Sequence, residues 1–228
     1  TKRELCCSLH LGNPTPKQDP VEMVQSIVGD FPTLILRGHL VGISLAGPVH
    51  PSIMYGEWAN YDGTPLNSPP LFYQGPTDFH ANLIETTGDE AVAVAKEIVK
   101  QRPQVDLSNV ESQYFFFTRI YGNDITDKTN LKTVIVTNKS YDGLVHPMKK
   151  TPDGKFVPDF LHRYLTEDLP YRLVVIKGIA EIVNVPTPVS DKILMWAQKK
   201  IGKEYLVNGK LTGKDVGESR SPQAFGLT

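Results

Sequence analysis

Two cysteines, adjacent at Cys6 and Cys7, are all that this 228-residue sequence holds. Neighbouring cysteines rarely have the geometry to bond to each other, so no disulfide framework is expected, and a reducing, cytoplasmic setting is. Charge of one sign is not in excess either, since 24 Lys and Arg stand against 25 Asp and Glu for a net charge of -1. That balance sets up no field that would gather nucleic acid or an anionic membrane, so any bound anion must be caught by a local site. No run approaches the roughly 18 to 20 apolar residues needed to span a bilayer, and no basic region leads into an apolar one at the start. Also missing are a Gly-rich loop after a strand, Cys/His spacing for zinc, a His-Glu-x-x-His helix and a Gly-x-Ser-x-Gly elbow. The visible residues therefore contain no dinucleotide-binding or metal motif.

What is present divides into two textures. The opening "TKRELCCSLHLGNPTP" reads as a strand already in progress followed by a Gly/Pro loop, which suggests a C-terminal piece of a longer chain. Apolar runs at Leu34 to Leu36 and Leu40 to Leu45, broken by Arg37-Gly38-His39, are expected to be strands with a turn between them. Gly47 and Pro48 end this part. From about residue 76 the period becomes helical, with Ala91, Val94 and Ile98 on one stripe that Pro103 terminates. "VPTPVSDKILMWAQKKIG" predicts a helix with Ser190 as N-cap, basic residues in the last turn and Gly202 at the stop. "LKTVIVTN" is short enough to be strand or helix, with helix preferred, and the polar Gly-rich end is expected to wrap the surface as coil. Aromatic residues from Tyr114 to Tyr121 lack a basic patch, and so read as core rather than as a platform for nucleic acid.

Six histidines occur, at 10, 39, 50, 80, 146 and 162, and an ordinary half-buried side chain is the commoner fate of each. Two have unusual settings. His50 in "VHPSIM" and His146 in "VHPMKK" each precede a proline, which biases the residue before it to an extended backbone and fixes where its side chain points. Local sequence does not choose between them. A second cluster, "PDFLHRYLTEDLPYRL", is expected to run as a helix over Asp159 to Leu165 and to stop at Pro170, with Arg163 and Asp168 near the helix end. One reading is a surface ion pair worth about 0 to 1 kcal/mol. In the other, Arg163 holds a substrate carboxylate and Asp168 orients a histidine.

In this order, "HPSIMYGEW" with the following "YDG", then "LFYQG", "TNKSYDGLVHPM", "GKFVPDFLHRYLTEDLP", "VPTPVSDKILMWAQ" and "SPQAFG" resemble the invertebrate opine dehydrogenases of the octopine dehydrogenase family. The resemblance implies a mainly α C-terminal domain preceded by the last β-strands of an α/β Rossmann-type domain, with residues 1–45 ending the dinucleotide-binding domain and 46–228 forming the helical substrate domain. It implies NADH-dependent condensation of an amino acid with pyruvate, regenerating NAD in anaerobic glycolysis, with NADH bound mainly by an N-terminal domain that carries the Gly-rich site. Position by position, the family's catalytic histidine falls on His50, its partner aspartate on Asp168 and its arginine for the keto-acid carboxylate on Arg163. "LPYRLVVIKG" departs from the family's pattern, in which a glycine is expected near Arg172. The implied partners are pyruvate and an amino acid, with no nucleic acid, no membrane, no metal and a monomeric chain. A dehydrogenase for another keto or hydroxy acid, or a helical interaction module without catalysis, are the alternatives.

Overall fold

The computed structural model describes residues 4–8 and 16–228, so His10 and the loop expected through Gly12 and Pro14 lie outside the described residues. The chain begins with β1 (Glu4–Cys7), α1 (Pro20–Val28) and β2 (Thr33–Leu36). The two strands pair in parallel from Glu4 opposite Thr33 to Cys7 opposite Leu36, which requires a crossover such as α1. Asp19 starts that helix by accepting from Val21 N at 2.7 Å, with Pro20 in the first helical position.

Leu40 to Leu45, expected as a strand, instead forms α2 (Leu40–Ser44). A strand would turn residues 41, 43 and 45 to one face. Here Leu45 is buried and Val41 packs beside it while Ile43 is 44% exposed, the i, i+4 pattern of a helix. His39 caps this helix by accepting from Val41 N at 3.2 Å. Next comes α3 (Val49–Trp58), short and almost wholly buried at Ile53, Met54, Tyr55 and Trp58. It includes His50, so the extended backbone expected before Pro51 does not occur. A proline in the first turn is tolerated because its missing N–H has no helical partner there anyway.

The long α4 (Asp78–Gln101) packs along α3, burying Ala81, Ile84, Gly88, Ala91 and Ala95 in one stripe. It ends before Pro103, as the sequence predicts. Then follow α5 (Gln113–Tyr121) and α6 (Leu131–Val136), the latter settling "LKTVIV" as helix, and the antiparallel pair β3 (Met148–Lys150) and β4 (Phe156–Pro158). The aromatic run is core at Phe117, Ile120 and Tyr121.

Only α7 (Arg163–Thr166) is helical in the stretch 159–165, and Pro170 does not stop a helix. It sits in a π-helical turn, Leu169–Leu173, that leads directly into α8 (Val174–Ile182). A proline has no N–H to give and its ring crowds the carbonyl four residues back, so the chain widens there instead of closing an ordinary turn. The last helix, α9 (Pro188–Lys200), has Thr187 at its N-cap position with no side-chain cap bond, and Ser190, expected as the cap, lies inside its first turn, fully buried. The Glu90 carboxylate from α4 accepts from Val189 N at 2.8 Å and Ser190 N at 2.9 Å, supplying the negative group that a helix start favours. Gly202, at φ +67°, ends the helix as expected. The C-terminal segment has no α-helix or strand, yet it is not simply surface coil. Tyr205, Leu206, Leu211 and Val216 insert into the main core with Ile53, Phe72 and Leu165.

Candidate active site

His50 leaves the first turn of α3 and meets Asp168, the residue that precedes the π-helical turn. Its Nδ1 lies 2.8 Å from Asp168 Oδ2 and its Nε2 lies 2.7 Å from the Tyr73 hydroxyl. An ionised carboxylate can only accept, so Nδ1 donates to Asp168 and Nε2 accepts from Tyr73. Burial pushes the Tyr73 phenol well above its ordinary pKa, which keeps its proton available for that bond. The Tyr164 ring stacks on the imidazole at 4.1 Å between centroids, and the two planes differ by 14°. Three side chains distant in sequence from His50 thus hold its imidazole in a fixed plane and tautomer.

A cavity of about 380 Å³ opens on this group. His50, Asp168 and Tyr73 line one part of it, Phe117 and Tyr141 form apolar wall, and Arg172 reaches in from the π-helical turn. Leu5, Cys6 and Ile43 also line it, so the cavity lies where the strands meet the helices. Tyr73 is backed by Tyr141, stacked at 3.9 Å.

Of the residues singled out from sequence, His50 and Asp168 are brought together, with 31% and 22% of their side chains exposed. Arg163 is not beside Asp168. It pairs with Glu167 one helical turn away at 3.1 Å and its side chain is 70% exposed. Arg163 takes Glu167 rather than Asp168 as its acidic partner, because the short α7 and the widened turn after it direct Asp168 toward His50. His146 is a core residue, 2% exposed, and accepts from Trp58 Nε1 at 3.0 Å. Burial lowers its pKa to about 4, so the ring is neutral at ordinary pH. His80 caps α4 through Thr77 and lies 3.5 Å from Glu57.

Tyr73 and Tyr164 were not identified from the sequence. Both stand within the quoted motifs, in "LFYQG" and "HRYLTEDLP", but nothing in either spacing shows that they reach His50. Among the described residues no group of three or more His, Cys, Asp or Glu side chains is placed to hold a metal, and no helix is long and apolar enough to cross a membrane.

The family described as NAD/NADP octopine/nopaline dehydrogenase, alpha-helical domain, matches residues 38–201. A tauropine dehydrogenase of Arabella iricolor is 48% identical over 100% of this chain and 58% of its own length. An octopine dehydrogenase of Mizuhopecten yessoensis is 44% identical over 100% of this chain and 57% of its own. A solved octopine dehydrogenase in complex with NADH and agmatine superposes with a TM-score of 0.93 at 42% identity, covering 99% of this chain and 56% of that one. The chain belongs to the octopine/nopaline dehydrogenase family and contains its helical domain. It spans a little over half the length of the relatives it matches.

Proposed function

We propose that this chain is the helical part of an opine dehydrogenase, an enzyme that joins the amino group of an amino acid to the keto carbon of pyruvate and reduces the product. The observation that carries this reading is the Asp168–His50–Tyr73 chain of hydrogen bonds at the cavity wall, within a domain of this family. Solved relatives hold NADH with L-arginine and NADH with pyruvate, respectively.

The reaction needs one group that takes a proton and later returns it. At neutral pH an amino acid carries an ammonium, which must lose a proton before its nitrogen can attack a carbonyl carbon. As the Tyr73 hydroxyl turns its O–H away, His50 takes that proton on Nε2, while Asp168 holds Nδ1–H and stabilises the imidazolium. The new C–N bond leaves a hydroxyl on the former keto carbon. His50 returns its proton to that oxygen, which departs as water and leaves a C=N bond. Bound NADH supplies the hydride that reduces this carbon. Arg163, one residue from the Tyr164 ring that stacks on His50, would release Glu167 to hold the pyruvate carboxylate by two parallel hydrogen bonds.

Residues 1–45 are proposed as the end of a dinucleotide-binding domain and 46–228 as the substrate domain. The parallel strands β1 and β2 with their helical crossover support that division, although the match to the family's helical domain starts earlier, at residue 38. This sequence has no Gly-rich phosphate loop, so NADH is assigned mainly to sequence outside it, in a monomeric cytoplasmic enzyme. In the full-length protein, NADH oxidation with pyruvate should require an added amine, tested with arginine, alanine, glycine and taurine. Pyruvate-dependent turnover that needs no amine rejects the opine reading in favour of a dehydrogenase for another keto or hydroxy acid.

A further inference from the structure

The cavity beside His50 contains two guanidinium groups with different surroundings. Arg119 is neutralised, since it pairs with Glu111 and lies 3.4 Å from Glu4. Arg172 has no carboxylate within ion-pair distance among the described residues. Its one protein hydrogen bond there is a long contact, 3.4 Å from Nη1 to the Ala46 carbonyl. The two acidic groups on the cavity wall are both occupied, Asp168 by His50 and Glu111 by Arg119 and by Arg37 at 3.7 Å. A half-buried guanidinium with five donors and one weak acceptor is short of partners, and a planar oxyanion supplies them two at a time.

Its position follows from the backbone. Asp168 and Arg172 are four residues apart across the π-helical turn, which places both on one face toward the cavity. Asp168 orients His50 from there, and Arg172 presents its charge into the same space. Arg163 lies outside this lining.

We propose that Arg172 binds the acid group, carboxylate or sulfonate, of the amino acid, and that its charge selects against an amino acid with a cationic side chain. This rests on the opine dehydrogenase reading. The acid group then sits on the cavity side of His50, with the amino group at the imidazole, while pyruvate is held from the Arg163 side. A substrate guanidinium or ammonium tail entering the cavity would meet Arg172 in a half-open, largely apolar space, where like charges repel more strongly than in water. Small zwitterions such as alanine, glycine and taurine bring no such charge.

The experiment compares full-length wild type with Arg172→Gln and Arg172→Lys, using steady-state NADH oxidation with the four amines. Arg172→Gln should raise KM for the preferred small amine about 10- to 100-fold, the cost of one charge-assisted bidentate contact. KM for pyruvate should stay within about twofold, and kcat/KM for arginine relative to alanine should rise. Arg172→Lys keeps charge without the planar fork, and should recover part of the small-amine KM while leaving arginine disfavoured. Propane-1-sulfonate, which carries the acid group without the amine, should compete with the amino acid in wild type and lose potency in Arg172→Gln. An increase confined to pyruvate KM, or equal amine KM values in all three proteins, overturns the assignment of Arg172 and leaves the opine reading intact. Wild-type turnover without any amine overturns both.

Discussion

His50 lies against Asp168 and Tyr73 on the cavity wall, so its loss should be felt first in turnover. His50 and His146 have nearly the same neighbours, Val before and Pro after, yet one lines a cavity between Asp168 and Tyr73 and the other is sealed against Trp58. His50→Ala in the full-length enzyme should lower kcat by about 10² to 10⁴, measured as amine-dependent NADH oxidation. Asp168→Asn should act in the same direction, because an amide can present N–H to Nδ1 and favour the wrong tautomer. Tyr73→Phe removes the one partner of Nε2 among the described residues without changing the ring that stacks on Tyr141, and should cost about two- to tenfold in kcat with little change in melting temperature. His146 has a different signature. Its pKa falls from 6.5 in the unfolded chain to about 4 in the core, so the folded state binds a proton less readily. Its contribution to stability is complete above about pH 6.5 and is lost as pH falls toward 4, up to about 3 kcal/mol. Urea midpoints measured over that window should drop in wild type and flatten in His146→Gln.

At the scale of elements, two prolines act against the usual expectation. Pro51 and Pro170 each stand inside helical backbone, and both do so near a helix start, where the missing N–H costs nothing. Pro51 leaves His50 in the first turn of α3, while Pro170 goes with the widened turn that sends Asp168 and Arg172 toward the cavity. The close packing of α3 on α4 depends on Gly56, where an added Cβ would fall within the His80 ring. Gly56→Ala should destabilise the domain by about 1 to 3 kcal/mol, read from chemical denaturation, by forcing His80 out of its capping position. Helix α9 was legible from its periodicity, its basic last turn and Gly202. Its start was not, because the cap is a carboxylate from Glu90, about a hundred residues earlier in the chain. Leu40 to Leu45 is expected as a strand and folds as a helix for a simpler reason: six residues fit either period until something packs on them.

For the molecule as a whole, the cavity draws its wall from β1, α2, α3, α5 and the π-helical turn, so no single stretch of sequence describes it. Exposed apolar side chains are frequent before residue 45, at Met23, Ile27, Phe31 and Leu36, whereas the helical part turns its apolar residues inward around α3. The amine requirement of the full-length enzyme is the prediction that belongs to this scale, since it needs both substrates and NADH in one site. By itself, the sequence determined α4 and α9, because period, caps and breakers act over a few residues, whereas α1, α3, α5 and α8 were not read from it and the mainly α class came with the resemblance. Its long motifs also carried the family. Spacing showed which residue types were on hand for acid/base chemistry but not which of them meet, and the pairing of His50 with Asp168 came only with the resemblance. Only the tertiary structure decided that His50 and not His146 faces a cavity, that Asp168 turns away from Arg163, and that Tyr73 closes the hydrogen-bond chain. Each of those outcomes depends on contacts between residues tens to more than a hundred positions apart, where chain geometry rather than spacing sets the distance.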